Sequence, residues 1–249
     1  MSLARVLGRL VVPLILMLPC AAVQSQDDEA GEVDVEVCLA VDGSGSIDED
    51  EFRFQREAYA AAIADPRVVN VIGSGYRRKI VIAMMEWGDA ESMNPITPWT
   101  VIEDADDASA FGGLVRAAPR LAWGWNSISN AIAFCHAWMD SNEFRGERRV
   151  IDVSGDAGQN GGMPLELARS LAVQDGIIIN ALALNYRSGG LTGPFGTPLI
   201  DHYRRDVIGG YYAFALPVDS SEGFKEALVR KLILEIAGRY PATAEYQGQ

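Results

Sequence analysis

Short, continuous apolar runs alternate along this chain with stretches whose apolar positions recur at helical spacing. The runs at 33–41, 79–87, 148–154, 176–184 and 211–216 are bounded by glycine or charge and show little polar alternation. Runs of that length read as strands buried on both faces, the habit of parallel sheets. Between them lie amphipathic stretches that predict helices. Residues 51–64 carry Phe52, Gln55, Tyr59 and Ile63 on one face and stop at Pro66. Residues 103–116 have Asp104, Asp106 and Asp107 at the positive end of a helix, where acids are favoured. Residues 127–139 carry Ile128, Ile132, Phe134 and Trp138, and further helices are expected at 164–174, 199–207 and 220–238, the last with Phe224, Leu228, Leu232 and Ile236. Two prolines make 95–102 a short edge strand, and 119–125 and 187–197 read as loops. Strand–helix alternation predicts an α/β domain over 33–239: a doubly wound, mostly parallel sheet with helices on both faces and one short antiparallel edge strand.

The first residues stand outside this pattern. Arg5 and Arg9 precede an apolar stretch broken by Pro13, and small residues at Cys20-Ala21-Ala22 lead into polar sequence. That layout predicts a secretory signal peptide over 1–25 rather than a membrane span. An acidic linker (26–32) follows it, and a polar tail (240–249) closes the chain. The expected destination is export, to the periplasm or the medium. Loss of the leader, with two arginines and no acids, takes the net charge from −13 to −15. Such acidity repels phosphate backbones and anionic lipid, so no nucleic-acid binding and no direct membrane binding after cleavage are expected. Cys38 and Cys135 remain in the mature chain; they can pair in an oxidising compartment or stay as buried thiols, and spacing alone does not decide.

Candidate chemistry centres on Asp42-Gly43-Ser44-Gly45-Ser46, at the carboxyl end of the first strand, where open α/β sheets place ligands. The string lacks the lysine of a phosphate loop, and Asp48 replaces the last glycine of a dinucleotide fingerprint. Asp42 also stands where the nucleophile elbow of a serine hydrolase has glycine, and only His136 and His202 are available as a base. His136 reads as a packing residue, and His202 has no orienting partner in the sequence. What remains is one carboxylate and two hydroxyls, an oxygen set suited to a hard divalent cation. Ser46 with Glu49 also forms a capping box for the helix that follows.

The DxSxS string resembles the first loop of the von Willebrand factor A (vWA) domain, and the similarity extends over about residues 33–239. The phrases Val150-Ile151-Asp152-Val153-Ser154-Gly155-Asp156 and Lys231-Leu232-Ile233-Leu234-Glu235-Ile236-Ala237-Gly238 resemble a bacterial secreted subfamily of it. The resemblance implies a metal-ion-dependent adhesion site holding one Mg²⁺ (or Mn²⁺ or Ca²⁺), with Ser44, Ser46 and a second-loop residue touching the ion and Asp42 and Asp156 acting largely through water. The family's second-loop threonine falls on Asn126, whose amide oxygen can ligate, and Ser127 beside it offers a hydroxyl. Ala157 replaces a usual glycine. The implied function is non-enzymatic: a protein partner's Asp or Glu completes the metal shell, with Trp123 and Trp125 as an aromatic rim. The alternative is a metal-independent scaffold or an accessory subunit of an envelope complex.

Overall fold

The computed structural model describes residues 31–186, 190 and 192–238. The expected leader, most of the acidic linker, the tail, and part of the 187–197 loop lie outside the described residues. The strands are β1 (Glu32–Asp42), β2 (Ile80–Trp87), β3 (Met93–Pro95), β4 (Thr100–Ile102), β5 (Arg145–Gly155), β6 (Ile177–Leu184) and β7 (Ala215–Val218). They form one sheet in the order β3-β2-β1-β5-β6-β7, with β4 also paired to β2. Pairings among β2, β1, β5, β6 and β7 are parallel, whereas β3 and β4 run antiparallel to β2. From β1 the chain winds first to one side and then, through β5, to the other. The carboxyl ends of β1 and β5 therefore form the switch point at which such sheets open a crevice.

The helices are α1 (Glu49–Ile63), α2 (Pro66–Gly73), α3 (Ala105–Ala117), α4 (Ile128–Asp140), α5 (Leu165–Gln174), α6 (Leu199–His202) and α7 (Phe224–Ala237). Alternation along β1 assigns the two layers. Val35, Val37, Leu39 and Val41 pack with Tyr59, Val68, Phe111 and Phe224 of α1, α2, α3 and α7. Cys38 and Ala40 point the other way, towards Ile128, Cys135, Ala168 and Leu199 of α4, α5 and α6. That facing settles the cysteines: Cys38 and Cys135 form a disulfide. No helix among the described residues is long and apolar enough to cross a membrane.

Several local expectations change. Asp48, not Ser46, caps α1, its Oδ1 accepting from Glu51 N at 2.9 Å. Pro66 does not merely end α1. It opens α2 at a first-turn position where its missing N–H is harmless, with Asp65 as cap. The predicted edge strand at 95–102 is two three-residue pieces. The last strand starts at Ala215, because Tyr212 adopts φ of 61° in a turn. The 199–207 helix widens after His202 into a π turn over Tyr203–Val207.

Candidate metal centre

The end of β1 delivers Asp42 into a buried position beneath the crevice, with 2 % of its surface exposed. Its Oδ1 accepts from Ser44 N at 2.8 Å, a local turn that fixes the loop. Oδ2 accepts from Asn126 Nδ2 at 3.0 Å and from Asp156 N at 3.4 Å. Asn126 Nδ2 also donates to Ser44 Oγ at 3.1 Å. Ser44 Oγ and Ser46 Oγ lie 3.1 Å apart, and Ser46 Oγ donates to Asp156 Oδ1 at 2.9 Å. Asp42, Ser44, Ser46, Asn126 and Asp156 thus form one hydrogen-bonded cluster drawn from three loops. Asp48 caps α1, and Ser46 joins the cluster instead.

Ser127 does not join. Its N donates to Gly88 O at 2.7 Å, and its hydroxyl lies 3.5 Å from Ser129 Oγ against Gly162, on the other side of the α4 start. Trp123 and Trp125 are 54 % and 72 % exposed, so neither folds back on the core. Trp87 is fully buried beneath the site, and Trp99 packs on Trp138 with ring centroids 5.0 Å apart.

Burial and the charge of Asp156 push Asp42 up to about 7. Two carboxylates held together away from water penalise the ionised form, and a cation relieves both causes at once. The donor set is hydroxyl, carboxylate and amide oxygen, which fits a hard divalent ion. Asn126 alone departs from that fit, since it turns its NH₂ rather than its oxygen towards Asp42 and Ser44. As an uncharged donor it bridges the cluster, and ligation requires its amide to turn over.

The cradle around the cluster is built by residues without a motif. Arg120 Nη2 donates to Gly43 O and Ser44 O at 3.1 and 2.8 Å. Buried Arg56 pairs with buried Glu86 at 2.6 Å, and the other Glu86 oxygen accepts from Leu121 N and Ala122 N, pinning the loop before Asn126. Tyr203 comes from the π turn. Its hydroxyl donates to Ala157 O at 3.1 Å, and burial followed by the charges of Asp42 and Asp156 raises its pKa well above the usual value. Gly155 is required here: a Cβ would stand 2.8 Å from Tyr203 Oη, 3.0 Å from Asp42 Oδ2 and 3.1 Å from the Trp87 ring. Only that glycine gave a signal in the sequence; Arg120, Glu86 and Tyr203 act through tertiary contact.

His202 does have an orienting partner, Asp206, at 2.7 Å from Nδ1. Its Nε2 accepts from Gln159 N at 3.2 Å, so the ring is held by backbone on its other side. The adjoining cleft, about 340 Å³, is lined by Gln159, Leu165, Glu166, Arg169, Pro194, His202 and Asp206. None of these is a serine, threonine or cysteine nucleophile. His136 is not simply a packing residue: half-buried on α4, it sets Nε2 2.7 Å from Asp175 Oδ2 and 3.5 Å from Asp140 Oδ2.

The fold is shared with solved structures of low sequence identity. A von Willebrand factor type A protein from Catenulispora acidiphila superposes with a TM-score of 0.58 at 12 % identity, over 82 % of this chain and 43 % of that one. PilB, a minor pilin from Streptococcus sanguinis, gives 0.60 at 11 % identity, over 86 % and 64 %. Proximal thread matrix protein 1 from the mussel byssus, solved with a zinc-occupied MIDAS motif, gives 0.57 at 12 % identity, over 82 % and 46 %. This chain spans less than half the length of the matrix protein and of the Catenulispora protein. A search of the curated proteins finds no match to the sequence. Residues 32–240 match the family model described as "Protein of unknown function (DUF1194)", and the chain belongs to that family, built on the von Willebrand factor A fold.

Proposed function

We propose that this protein is an exported, non-enzymatic binding module that holds one divalent cation, Mg²⁺ or a close substitute, at the end of β1 and β5. The cation would be held by Asp42, Ser44, Ser46, Asn126 and Asp156, and it supplies an electrophilic centre for a partner's carboxylate. The observation that carries the reading is the buried pair of acids, Asp42 and Asp156, linked through hydroxyls and an amide without a cationic side chain among the donors to Asp42. Exposed Trp123 and Trp125 supply apolar area beside the crevice for a partner presenting Asp or Glu. The similarity to the pilin and matrix proteins supports a binding role outside the cytoplasm.

A second reading rests on Asn126. Its amide already bridges Asp42 and Ser44, so the fold can act as a metal-independent scaffold or as an accessory subunit of an envelope complex. Calorimetric titration of metal-stripped protein with Mg²⁺ and Mn²⁺, beside Asp42→Ala, separates the two. Binding lost in the variant supports the metal site, and no heat in either protein refutes it in favour of the scaffold.

A further inference from the structure

A second buried acid cluster lies in the opposite layer of the core, where α7 crosses β5 and β6. Asp152 in β5 is paired in register with Asn180 in β6. Above them α7 sets Lys231 and Glu235 one turn apart, so both side chains reach the same spot on the sheet. Lys231, Asp152 and Glu235 are respectively 0 %, 1 % and 2 % exposed. Leu228 and Leu232 flank the lysine in the same apolar layer. Lys231 Nζ lies 2.5 Å from Glu235 Oε1, to which it donates, and the same oxygen accepts from Asn180 Nδ2 at 3.0 Å.

The approach to Asp152 is of another kind. Nζ stands 2.5 Å from Asp152 Oδ1, yet neither Asp152 oxygen makes a hydrogen bond among the described residues, and Glu235 Oε2 makes none either. An ammonium that close to a carboxylate normally sits on an oxygen lone pair. Here it presses against the carboxyl group off that alignment. As an ion cluster the arrangement is poor, because two acids share one base in a dry core and three oxygens are left without hydrogen bonds.

The geometry points to a covalent outcome: we propose that Lys231 Nζ and Asp152 Cγ condense to an intramolecular amide that cross-links α7 to the middle of β5, with Glu235 as the proton carrier. Glu235 takes a proton from the ammonium, and the freed lone pair adds to Asp152 Cγ. The C–N bond forms, a C–O bond breaks, and the two protons lost from nitrogen leave on the departing oxygen as water. Glu235 ends as it began, and no oxidant or co-reactant is consumed. Burial and the charge of Asp152 raise Glu235 to about 7, the range in which a carboxyl group both takes and gives protons at neutral pH. Fixed contact replaces a bimolecular encounter, and the product removes one buried charge of each sign.

Peptide mapping of the purified full chain, reduced and denatured, tests this directly. Trypsin should yield the peptide 150–169 joined to 231–239, lighter than the two separate peptides together by one water. Recovery of unmodified 150–169, with 232–239 released by cleavage after a free Lys231 or 231–239 unlinked, overturns the proposal. A linked species lighter by ammonia overturns the assignment to Asp152 and moves the bond to Asn180. In Glu235→Gln, which retains both reacting groups and a similar shape, the cross-linked peptide should disappear. Its persistence at the wild-type yield would overturn the role given to Glu235.

Discussion

Asp42→Asn in metal-stripped protein should change the pH dependence of stability, because the structure buries that carboxyl beside a second acid. Asp42 stands at about 7 in the folded state against an ordinary value of 3.8. Between those values the folded protein retains a proton that the unfolded chain has released, so stability falls as pH rises through the window. For one group with these two constants, the loss between about pH 5 and pH 8 is roughly 2 to 3 kcal/mol. The variant has no such proton to lose. Its new NH₂ faces the donors Asn126 Nδ2 and Asp156 N, which destabilises it by a similar amount at both pH values. The diagnostic quantity is therefore the change with pH in the difference between the two proteins.

Urea unfolding of both proteins at the two pH values, with chelator present, measures that change. Comparing the two proteins also cancels the pH dependence of Glu235, raised in the same direction by burial. Saturating Mg²⁺ at the higher pH should stabilise only the wild type, by about 2.7 kcal/mol when the ion is at a hundredfold its Kd. A wild-type-minus-variant difference that is equal at both pH values would refute the claim that burial holds Asp42 protonated. It would also remove the electrostatic argument for a cation.

Other perturbations follow from the same contacts. Asn126→Thr replaces the bridging NH₂ with a hydroxyl and should tighten Mg²⁺ binding in calorimetry; unchanged affinity would favour the scaffold reading. Cys38→Ser with Cys135→Ser opens a loop with a sequence separation of 97 and should lower unfolding free energy by about 4 to 5 kcal/mol in the chain-entropy account, read by denaturant melts. Glu86→Gln strips the charge partner from buried Arg56 and should destabilise by about 3 to 5 kcal/mol while loosening the 119–125 loop in hydrogen exchange. Gly155→Ala should destabilise by about 1 to 3 kcal/mol, and Tyr203→Phe should recover part of that, since the hydroxyl is the nearest atom to the new Cβ.

The periodic parts of the fold were legible from one sequence, because buried parallel strands and amphipathic helices each leave a local signature. The first loop is legible because it follows directly on an apolar strand, and Asp156 through its match to the vWA pattern. What escaped depends on partners distant in sequence. Ser46 and Asp48 both suit a helix cap, and the choice is made by Asp156, which engages the serine across 110 positions. Tyr203 enters the site only because a π turn rotates it under β5, and no apolar period announces that. Arg56, Glu86 and Arg120 belong to no motif, and their roles follow from contacts with partners distant in sequence. The disulfide was open until alternation along β1 turned Cys38 towards α4.

Two other buried acid sites suggest by contrast why the crevice would take a metal. Glu86 has Arg56 at 2.6 Å, and the Asp152–Glu235 pair has Lys231. Among the described residues Asp42 receives no cationic side chain: its donors are uncharged, two backbone N–H groups, the Asn126 amide and the Ser44 side chain. Arg120, the cation nearest that loop among its hydrogen-bonded neighbours, is directed at two carbonyls. A fixed basic residue at Asp42 would neutralise the acids permanently and leave nothing for a partner's carboxylate to meet. An exchangeable ion gives the same relief to Asp42 and Asp156 while keeping a positive centre at the surface. On this account, chelation should abolish partner binding and should leave the Lys231–Asp152–Glu235 site, which depends on no exchangeable ion, unaffected.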